Sequence, residues 1–354
     1  MKRIAIIQPV IPRYRIEFFK EINQKYNVEV FACKEAFGVK SILNLEYAFY
    51  SKNIIDFKIF FWHKYLPIFR ILRDFDIIVI NGNMRIINYM ILYFLSLILN
   101  KPIVWWGHLN SAGGYGIGSK IRIYLMNFAN RILLYTDDEV KKYPFKRSVH
   151  ALNNGLAQQD IKYALKKYPP DVSFTGPIKL VFIGRLSYKS GIEFLLQAIS
   201  QLNIRYTLDI IGDGPLKENM ENYVKSKNLS KNIKFHGEIN NELDIAKILS
   251  DKSLSLYTGS VGLSLIHSFN YYLPMITHDN LKMHMPEFAA LENGVNGLLY
   301  EYDNKESFCN KIEEFYKMPV CKQKKLALNA NETVVKSYNN ENMVLRFINC
   351  IESI

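Results

Sequence analysis

The chain alternates between two patterns of apolar and polar residues. Short runs rich in β-branched and aromatic residues are typical of buried strands, and apolar residues at helical spacing lie between them. In the first half, strand-like runs cover 3–8, 28–32, 76–80, 103–106 and 132–135, and the clearest helical patterns cover 15–24 and 86–99. Strands that alternate with helices predict a parallel sheet with crossover helices on its faces.

The alternation pauses at 166–177, where two adjacent prolines and a Gly-Pro pair predict a linker. It resumes with strand-like runs at 179–183, 207–211, 233–236, 254–257 and 275–277, and with helical patterns at 191–201, 215–227, 263–272 and 340–351. A chain of 354 residues is also longer than one core usually serves. We therefore predict an α/β protein of two facing, Rossmann-like, doubly wound domains, 1–168 and 178–336, joined by a linker at 169–177. Ligands would bind in the cleft at the carboxyl ends of the strands.

Two apolar segments could be mistaken for targeting or membrane signals. The opening run of MKRIAIIQPVIP is about one strand long, lacks a small-residue cleavage site and meets Pro9 and Pro12 directly, so we interpret it as the first strand. The run IINYMILYFLSLIL, 86–99, is shorter than the roughly 20 apolar residues of a membrane span. It predicts a buried helix.

Cysteine use and charge narrow the location and the partners. The four cysteines, Cys33, Cys309, Cys321 and Cys350, lie far apart without CxxC spacing, which argues against disulfides or zinc and favours the cytoplasm. Residues 1–150 hold 22 Lys and Arg against 11 Asp and Glu, whereas 151–354 hold 23 against 22. Nearly all of the net charge of +12 therefore lies in the first half, which indicates an anionic partner there.

The anionic partner could be nucleic acid or a membrane surface, and no nucleic-acid-binding motif accompanies the charge. The segment KIFFWHKY, 58–65, mixes bases and aromatic residues as an interfacial patch would. A solvated basic face with a few buried aromatic residues explains the same pattern equally well. Peripheral binding at the inner face of the cytoplasmic membrane is thus a hypothesis.

The sharpest candidate site is KLVFIGRLSYKSGIEFLLQAI, 179–199. A strand ends at Gly184, Arg185 and Lys189 follow, and a helix begins near Gly191. Glycine lets the backbone approach a ligand closely, and a helix amino terminus offers free N–H groups to an anion. An arginine can hold two phosphate oxygens with its planar guanidinium. This loop predicts a phosphate-binding turn.

Three further pieces follow in order along the second half. The next strand ends in the tight turn 212–215, GDGP. A Gly- and Ser-rich turn, 258–262, then leads into a helix, and Glu287 precedes the turn NGVNG at 293–297.

These four pieces resemble the nucleotide-sugar domain of the family-4 (group 1) glycosyltransferases of the GT-B fold. In the first half, QPVIPRYRIEFFKEI resembles that family's opening strand and loop, WWGHLNSAGGYG its histidine-bearing strand end, and VHALNNGL the Asn-Gly strand before its linker. The resemblance implies a last helix, within 337–354, that crosses back onto the first domain. It also implies a nucleoside-diphosphate-sugar donor and, as acceptor, a glycan or a lipid-diphosphate-linked glycan of bacterial surface polysaccharide (O-antigen, capsule or lipopolysaccharide).

The resemblance carries roles onto matching positions of the second half. Arg185, with Lys189 and Gly184, would bind the donor diphosphate. Phosphate-facing backbone would come from the turn and helix start, at Ser260, Gly262, Leu263 and Ser264. Ile239 would lie near the nucleotide base of the donor and His267 near its ribose. Glu287 would lie near the hydroxyl groups of the donor sugar.

In the first half, His108 would lie beside the transferred sugar. Its position at a strand end, before the glycines 113, 114, 116 and 118, independently favours a cleft over a buried structural histidine. The loop that contains Pro12, Arg13 and Tyr14 would close over donor or acceptor.

The chain departs from the family pattern at two places. Two glutamates eight positions apart are usual in the family, and their positions align with Gly259 and His267. The usual phosphate lysine aligns with Ser190, so that Lys189 lies one residue early.

The implied reaction is retaining transfer of a hexosyl or deoxyhexosyl group without a metal or cofactor. Asp74-Phe75-Asp76 mimics a DxD motif but precedes a buried strand, and no His, Cys and carboxylate cluster has ligand spacing. The absence of glycosidase-type paired carboxylates favours transfer over hydrolysis, and the absence of GxGxxG after the first strands argues against a dehydrogenase. A sugar-nucleotide epimerase of related fold and a non-catalytic nucleotide-sugar-binding partner protein stay open as alternatives.

Overall fold

The computed structural model describes residues 1–43, 45–109, 116–145, 148–172 and 176–354. The chain divides into two compact units, Met1–Ala157 with Asn340–Ile354, and Gln158–Asn339. The first unit ends at Ala157 rather than at the predicted residue 168, because the helix that starts at Gln158 packs against a helix of the second unit. The proline-rich stretch therefore belongs to the second unit, and its residues 173–175 lie outside the described ranges.

Within the described ranges, the part of the first unit up to Ala157 contains eleven strands and five helices. Its strands are β1 (Arg3–Ile7), β2 (Asn27–Cys33), β3 (Glu35–Ala36), β4 (Val39–Lys40), β5 (Ala48–Ser51), β6 (Ile54–Phe57), β7 (Phe60–His63), β8 (Ile77–Asn81), β9 (Ile103–Trp106), β10 (Arg131–Leu134) and β11 (Val149–Ala151). Its helices are α1 (Ile16–Lys25), α2 (Ile68–Asp74), α3 (Ile87–Ile98), α4 (Ile117–Met126) and α5 (Asp137–Lys141), with a 3₁₀ turn at Arg13–Arg15.

The second unit holds the remaining elements, except for the last helix. Its strands are β12 (Ile178–Ile183), β13 (Tyr206–Ile211), β14 (Ile233–Gly237), β15 (Leu254–Leu256), β16 (Met275–His278) and β17 (Gly297–Tyr300). Its helices are α6 (Gln158–Lys167), α7 (Ile192–Ile199), α8 (Lys217–Ser226), α9 (Glu242–Leu249), α10 (Leu263–Asn270), α11 (Lys305–Lys317) and α12 (Val320–Ser337), with 3₁₀ turns at Tyr188–Ser190 and Pro286–Ala290. The last helix, α13 (Asn340–Glu352), belongs to the first unit.

A seven-stranded parallel sheet forms the centre of the first unit, in the order β11-β10-β9-β8-β1-β2-β5. Helices α1 and α13 cover one face, with Phe18 and Phe347 in the core, and α2, α3 and α4 cover the other, with Tyr93 against Trp105. Strands covered on both faces are apolar at almost every position, which explains the continuous runs in the sequence. The small sheets β3-β4 and β6-β7 are antiparallel hairpins outside this sheet.

The second unit has a six-stranded parallel sheet in the order β14-β13-β12-β15-β16-β17. Each strand-like run predicted in the two halves is present, with ends within one residue of the prediction. The prediction of two doubly wound α/β sheets is therefore confirmed. No helix in the described part of the chain has both the length and the apolar character needed to cross a membrane.

Candidate functional site

The loop after β12 packs directly against the loop after β13. The amide of Gly184 donates to the carbonyl of Ile211 at 3.0 Å. Gly212 has φ of +145°, and a Cβ atom there would lie 1.9 Å from the carbonyl oxygen of Gly184. Only glycine fits this contact, so the turn at 212–215 packs directly against the backbone of the predicted phosphate loop.

The two bases of this loop are exposed at the carboxyl end of β12. Neither Arg185 nor Lys189 pairs with a carboxylate of a described residue. Ser190, at the position of the family's lysine, is buried, and its hydroxyl donates to the carbonyl of Ser187 at 2.7 Å. Lys189 is therefore the exposed lysine of this loop, and the side chain at position 190 points into the protein.

The turn between β15 and α10 is joined to the same loop through its backbone. The amide of Ser260 donates to the carbonyl of Lys189 at 2.8 Å, and the hydroxyl of Thr258 donates to the carbonyl of Gly191 at 2.7 Å. A Cβ atom on Gly259 would lie 2.2 Å from the carbonyl oxygen of Lys189. A glutamate at position 259 would therefore collide with the phosphate loop, which explains why this residue is glycine here.

Helix α10 begins at the predicted phosphate-facing position. Gly262 is its N-cap, and Leu263 and Ser264 form its first turn, where backbone N–H groups have no partner within the helix. Glu287 is 5% exposed and lies beside this helix start, since a Cβ atom on Gly262 would be 3.5 Å from its Oε2 atom. The structure thus brings Glu287 to the helix start despite its unusual spacing in the sequence.

The segment between β16 and Glu287 folds over this turn. The hydroxyl of Ser260 donates to the carbonyl of Met283, and the amide of Val261 donates to Nδ1 of His284 at 3.3 Å. Burial lowers the pKa of His284 to about 4, which keeps the ring neutral and able to accept this bond. The Ser260 hydroxyl and the Val261 amide are therefore already bonded, which leaves the amides that follow them to face a ligand.

His267 is held by a carboxylate that the sequence analysis did not identify. Its Nε2 atom lies 3.1 Å from Oε2 of Glu242, at the start of α9, and the same oxygen accepts a hydrogen bond of 2.5 Å from the hydroxyl of Tyr271. A carboxylate is therefore present beside position 267, although it comes from a neighbouring helix. Nothing in the sequence marks this pairing, because 25 residues separate the two partners.

The remaining residue that the sequence predicts for donor binding, Ile239, is half-buried just after β14. The second unit therefore assembles all of its predicted site residues at one edge of its sheet, the carboxyl edge. Such an edge is where open parallel sheets bind ligands.

In the first unit, His108 follows the carboxyl end of β9. Its ring lies 4.3 Å from the ring of Tyr135, and its Nδ1 atom is 4.0 Å from Oε1 of Glu139. Partial burial, with repulsion from Arg122 and Arg15, lowers the pKa of His108 to about 4, so the ring is neutral at neutral pH. Of the glycine-rich loop that follows, Gly113 and Gly114 lie outside the described residues.

The predicted closing loop lies at the end of β1, beside a cavity of about 110 Å³. Pro12 and Tyr14 line this cavity, whereas Arg13 is exposed. Arg15 and Gln8, which the sequence analysis did not single out, also line it. The 3₁₀ turn sends Arg15 inward, where it is 5% exposed.

Neither carboxylate of the DxD-like sequence is arranged for a metal. Asp74 pairs with Arg73 at 2.6 Å, and Asp76 accepts a hydrogen bond from the backbone of Arg3 at 2.8 Å. No group of three or more potential metal-ligating side chains occurs in the part of the chain that the structure describes.

The chain is similar to known proteins over part of its sequence. Residues 167–333 match the family of group 1 glycosyl transferases, and that match covers both bases of the phosphate loop, helix α10 and Glu287. A stretch of 116 residues is 34% identical to a chitobiosyldiphosphodolichol beta-mannosyltransferase of Debaryomyces hansenii, over 31% of this chain and 23% of that protein. The chain thus spans about a quarter of the length of this curated relative.

The whole chain is similar to solved structures of the GT-B fold. The apo form of the lipopolysaccharide outer core galactosyltransferase WaaB aligns with a TM-score of 0.70 and 16% identity, over 99% of both chains. Anabaena Alr3699/HepE, solved in complex with UDP, aligns with a TM-score of 0.71 and 15% identity over the full length of both. The predicted GT-B fold is therefore confirmed.

Proposed function

We propose that this protein is a retaining, metal-independent glycosyltransferase that moves a hexosyl or deoxyhexosyl group from a nucleoside diphosphate sugar to a glycan or lipid-linked glycan of a bacterial surface polysaccharide. The observation that carries the proposal is the predicted phosphate loop, where Arg185 and Lys189 are exposed without a carboxylate partner among the described residues and the backbone of Lys189 is bonded to the turn that precedes α10. The family match over 167–333 supports a transferase, and solved GT-B neighbours bound to UDP or UDP-glucose support a nucleotide-sugar donor.

The proposed chemistry depends on stabilising the leaving group. As the anomeric C–O bond breaks, negative charge builds on the departing nucleoside diphosphate. Arg185, Lys189 and the amides at the start of α10 would stabilise that charge. The neutral His108 ring would contact the transferred sugar as a hydrogen-bonding group rather than as a cation.

We further propose that His267 replaces the family's ribose-binding glutamate. Glu242 accepts from Nε2–H of His267, which fixes the tautomer and leaves Nδ1 as an acceptor for a ribose hydroxyl. Glu287, which lies beside Gly262, would bind donor hydroxyl groups.

The location that we propose is the surface of an anionic membrane, bound by an apolar face of the first unit. Every exposed residue of α3 is apolar, namely Ile87, Ile91, Phe94 and Ile98, and α4 exposes Ile117, Ile121 and Tyr124. The hydroxyl of Tyr93 donates to the carbonyl of Leu125 at 2.7 Å, so the two helices are neighbours. Exposed apolar patches of this kind mark interaction sites.

The charge around this face favours lipid with acidic headgroups. Residues 77–136 contain five Lys or Arg and no Asp or Glu. Each base near an anionic membrane adds about 1 kcal/mol of attraction. The segment 58–65 contributes the exposed Ile59, Phe60 and Tyr65, whereas Phe61 and His63 of the same hairpin are buried.

Liposome flotation tests the membrane proposal. The protein should float with vesicles that contain phosphatidylglycerol at low salt, and the double substitution Ile91→Ser with Phe94→Ser should reduce the bound fraction. Leu328→Ser with Val335→Ser removes two apolar residues of α12 that are at least as exposed, and serves as the matched control. Binding that is equal in both double variants would contradict the assignment of this face.

A panel of UDP-, GDP- and dTDP-sugars tests the catalytic proposal. The expected result is release of nucleoside diphosphate from at least one donor in the presence of EDTA. Arg185→Ala should abolish release, whereas Arg205→Ala, an exposed base before β13, should not. Isomerised sugar nucleotide without nucleotide release would instead identify an epimerase. Tight donor binding without either product would identify the non-catalytic binder that the glycine at position 259 leaves as an alternative.

A further inference from the structure

Two residues that line the cavity beside the first strand, Gln8 and Arg15, each carry a buried nitrogen atom without a hydrogen-bond partner among the described residues. The cavity has a volume of about 110 Å³ and is lined by Gln8, Pro12, Tyr14, Arg15 and Tyr135, among others. A buried water needs about 10–15 Å³ by this measure, so the cavity has room for a group of several non-hydrogen atoms. The polar atoms in its wall therefore decide which group fits.

The side-chain amide nitrogen of Gln8 has no hydrogen-bond partner among the described residues. Oδ1 of Asn81 accepts from the backbone amide of Asn83 at 3.2 Å, so Nδ2 of Asn81 must donate to Oε1 of Gln8, at 3.1 Å. Gln8 is 9% exposed, and its buried Nε2 atom has no acceptor among the described residues. Because these hydrogen bonds fix the orientation of the Gln8 amide, its Nε2 atom is a hydrogen-bond donor without an acceptor.

Arg15 is the second donor and brings a positive charge. Its Nη2 atom donates to Oδ1 of Asn154 at 2.9 Å, and its guanidinium lies 4.5 Å from the ring of Trp106, which together hold the side chain in place. Its buried Nη1 atom has no partner, and no carboxylate of a described residue lies within ion-pair distance of it. An arginine that is buried without a counter-charge is costly unless a ligand supplies one.

We propose that this cavity is an oxyanion-binding site, in which Nη1 of Arg15 and Nε2 of Gln8 hold a phosphate or carboxylate group. The proposal that this oxyanion belongs to the sugar acceptor rests on the proposed function. The binding of the oxyanion itself does not. The fixed positions of both donors favour a small, charged group over a neutral hydroxyl, because hydrogen bonds to an ionised acceptor are roughly twice as strong.

Thermal unfolding in sodium phosphate, sodium acetate and sodium chloride of equal pH and ionic strength tests the site. Phosphate or acetate should raise the melting temperature above that in chloride. Arg15→Met should weaken the binding of that anion by at least about tenfold, as expected for loss of a charged hydrogen bond. Lys20→Met, an exposed base on α1, removes the same charge and should leave the response intact.

A second variant keeps the proposal testable if Arg15→Met does not fold. Gln8→Glu places a carboxylate beside Arg15, so it should raise the melting temperature in chloride and remove the response of this site to added anion. A response that survives when Gln8→Glu is combined with Arg185→Ala, which removes the contribution of the donor loop, would overturn the proposal. So would a wild-type protein that responds no more to phosphate or acetate than to chloride.

The site must also be separated from the donor site of the second unit. In Arg185→Ala the response to phosphate should persist, and adding Arg15→Met should remove it. A response that disappears with Arg185 alone would assign the anion to the donor loop and overturn the proposal. The wild-type donor assay, which uses nucleotide sugars, tests the transferase independently, so that its failure would leave the oxyanion result standing.

Discussion

Replacing Gly259 with alanine tests whether the phosphate loop and the turn before α10 form one rigid unit. The new methyl group would lie 2.2 Å from the carbonyl oxygen of Lys189 and 2.4 Å from the carbonyl carbon of Ser190. Both neighbours are backbone atoms, so the loop itself must move by about 1 Å to restore ordinary contact near 3.5 Å or more.

The cost follows from what that movement breaks. Overpacking of this kind costs about 1–3 kcal/mol. The bonds from Ser260 to Lys189 and from Thr258 to Gly191 would be weakened at about 1 kcal/mol each. We expect a loss of about 3–5 kcal/mol, which for a unit of this size lowers the melting temperature by roughly 6–20 °C.

Thermal unfolding, followed by donor titration at a temperature where the variant is folded, measures both consequences. Gly262→Ala is the matched control for the unfolding measurement alone, because its methyl group would meet the flexible side chain of Met285 at 3.1 Å and should cost much less stability. Gly259→Glu should be at least as damaging as Gly259→Ala. A Gly259→Ala protein with unchanged melting temperature and donor affinity would refute the argument.

Two further predictions concern groups that sequence reasoning did not reach. Glu242→Gln should weaken donor affinity by about fivefold, since it loosens the bond that orients His267, while the chain stays folded; equal affinities in titration calorimetry would contradict that role. Burial lowers the pKa of His63 to about 4, so the unfolded chain takes up this proton first as the pH falls below about 6.5. Stability should therefore decrease from pH 6.5 towards pH 4, by up to about 3 kcal/mol for this group. His63→Leu should make the decrease shallower in urea unfolding, and an unchanged pH slope would count against the assignment.

Much of the fold could be predicted because the strands are continuous apolar runs. Strands such as β8 and β9 are covered by helices on both faces, and the resulting runs of Ile, Val and Trp mark their ends to within one residue. The hairpin β6-β7 was missed, because bases and exposed aromatic residues interrupt its alternation. Only the structure shows which of its residues are buried, namely Phe61 and His63.

The site residues that directly follow strand ends could be predicted from the sequence. Those that are brought together only by tertiary contacts could not. Gly184, Arg185 and the start of α10 follow strand ends, which the sequence pattern locates directly. The carboxylate beside His267 comes from Glu242, on a helix that only the sheet order brings near. Arg15 was missed for a related reason, since the direction of a side chain in the short turn Arg13–Arg15 cannot be determined from residue spacing alone.

The central claim is that Arg185 grips a nucleoside diphosphate without a metal. Titration calorimetry with UDP and GDP in the presence of EDTA measures it directly, with wild type and Arg185→Ala compared at the same ionic strength. We predict that at least one nucleotide binds to the wild type and that the variant binds it at least about tenfold more weakly, because the variant loses a charged hydrogen bond. Equal affinity in the two proteins would contradict it.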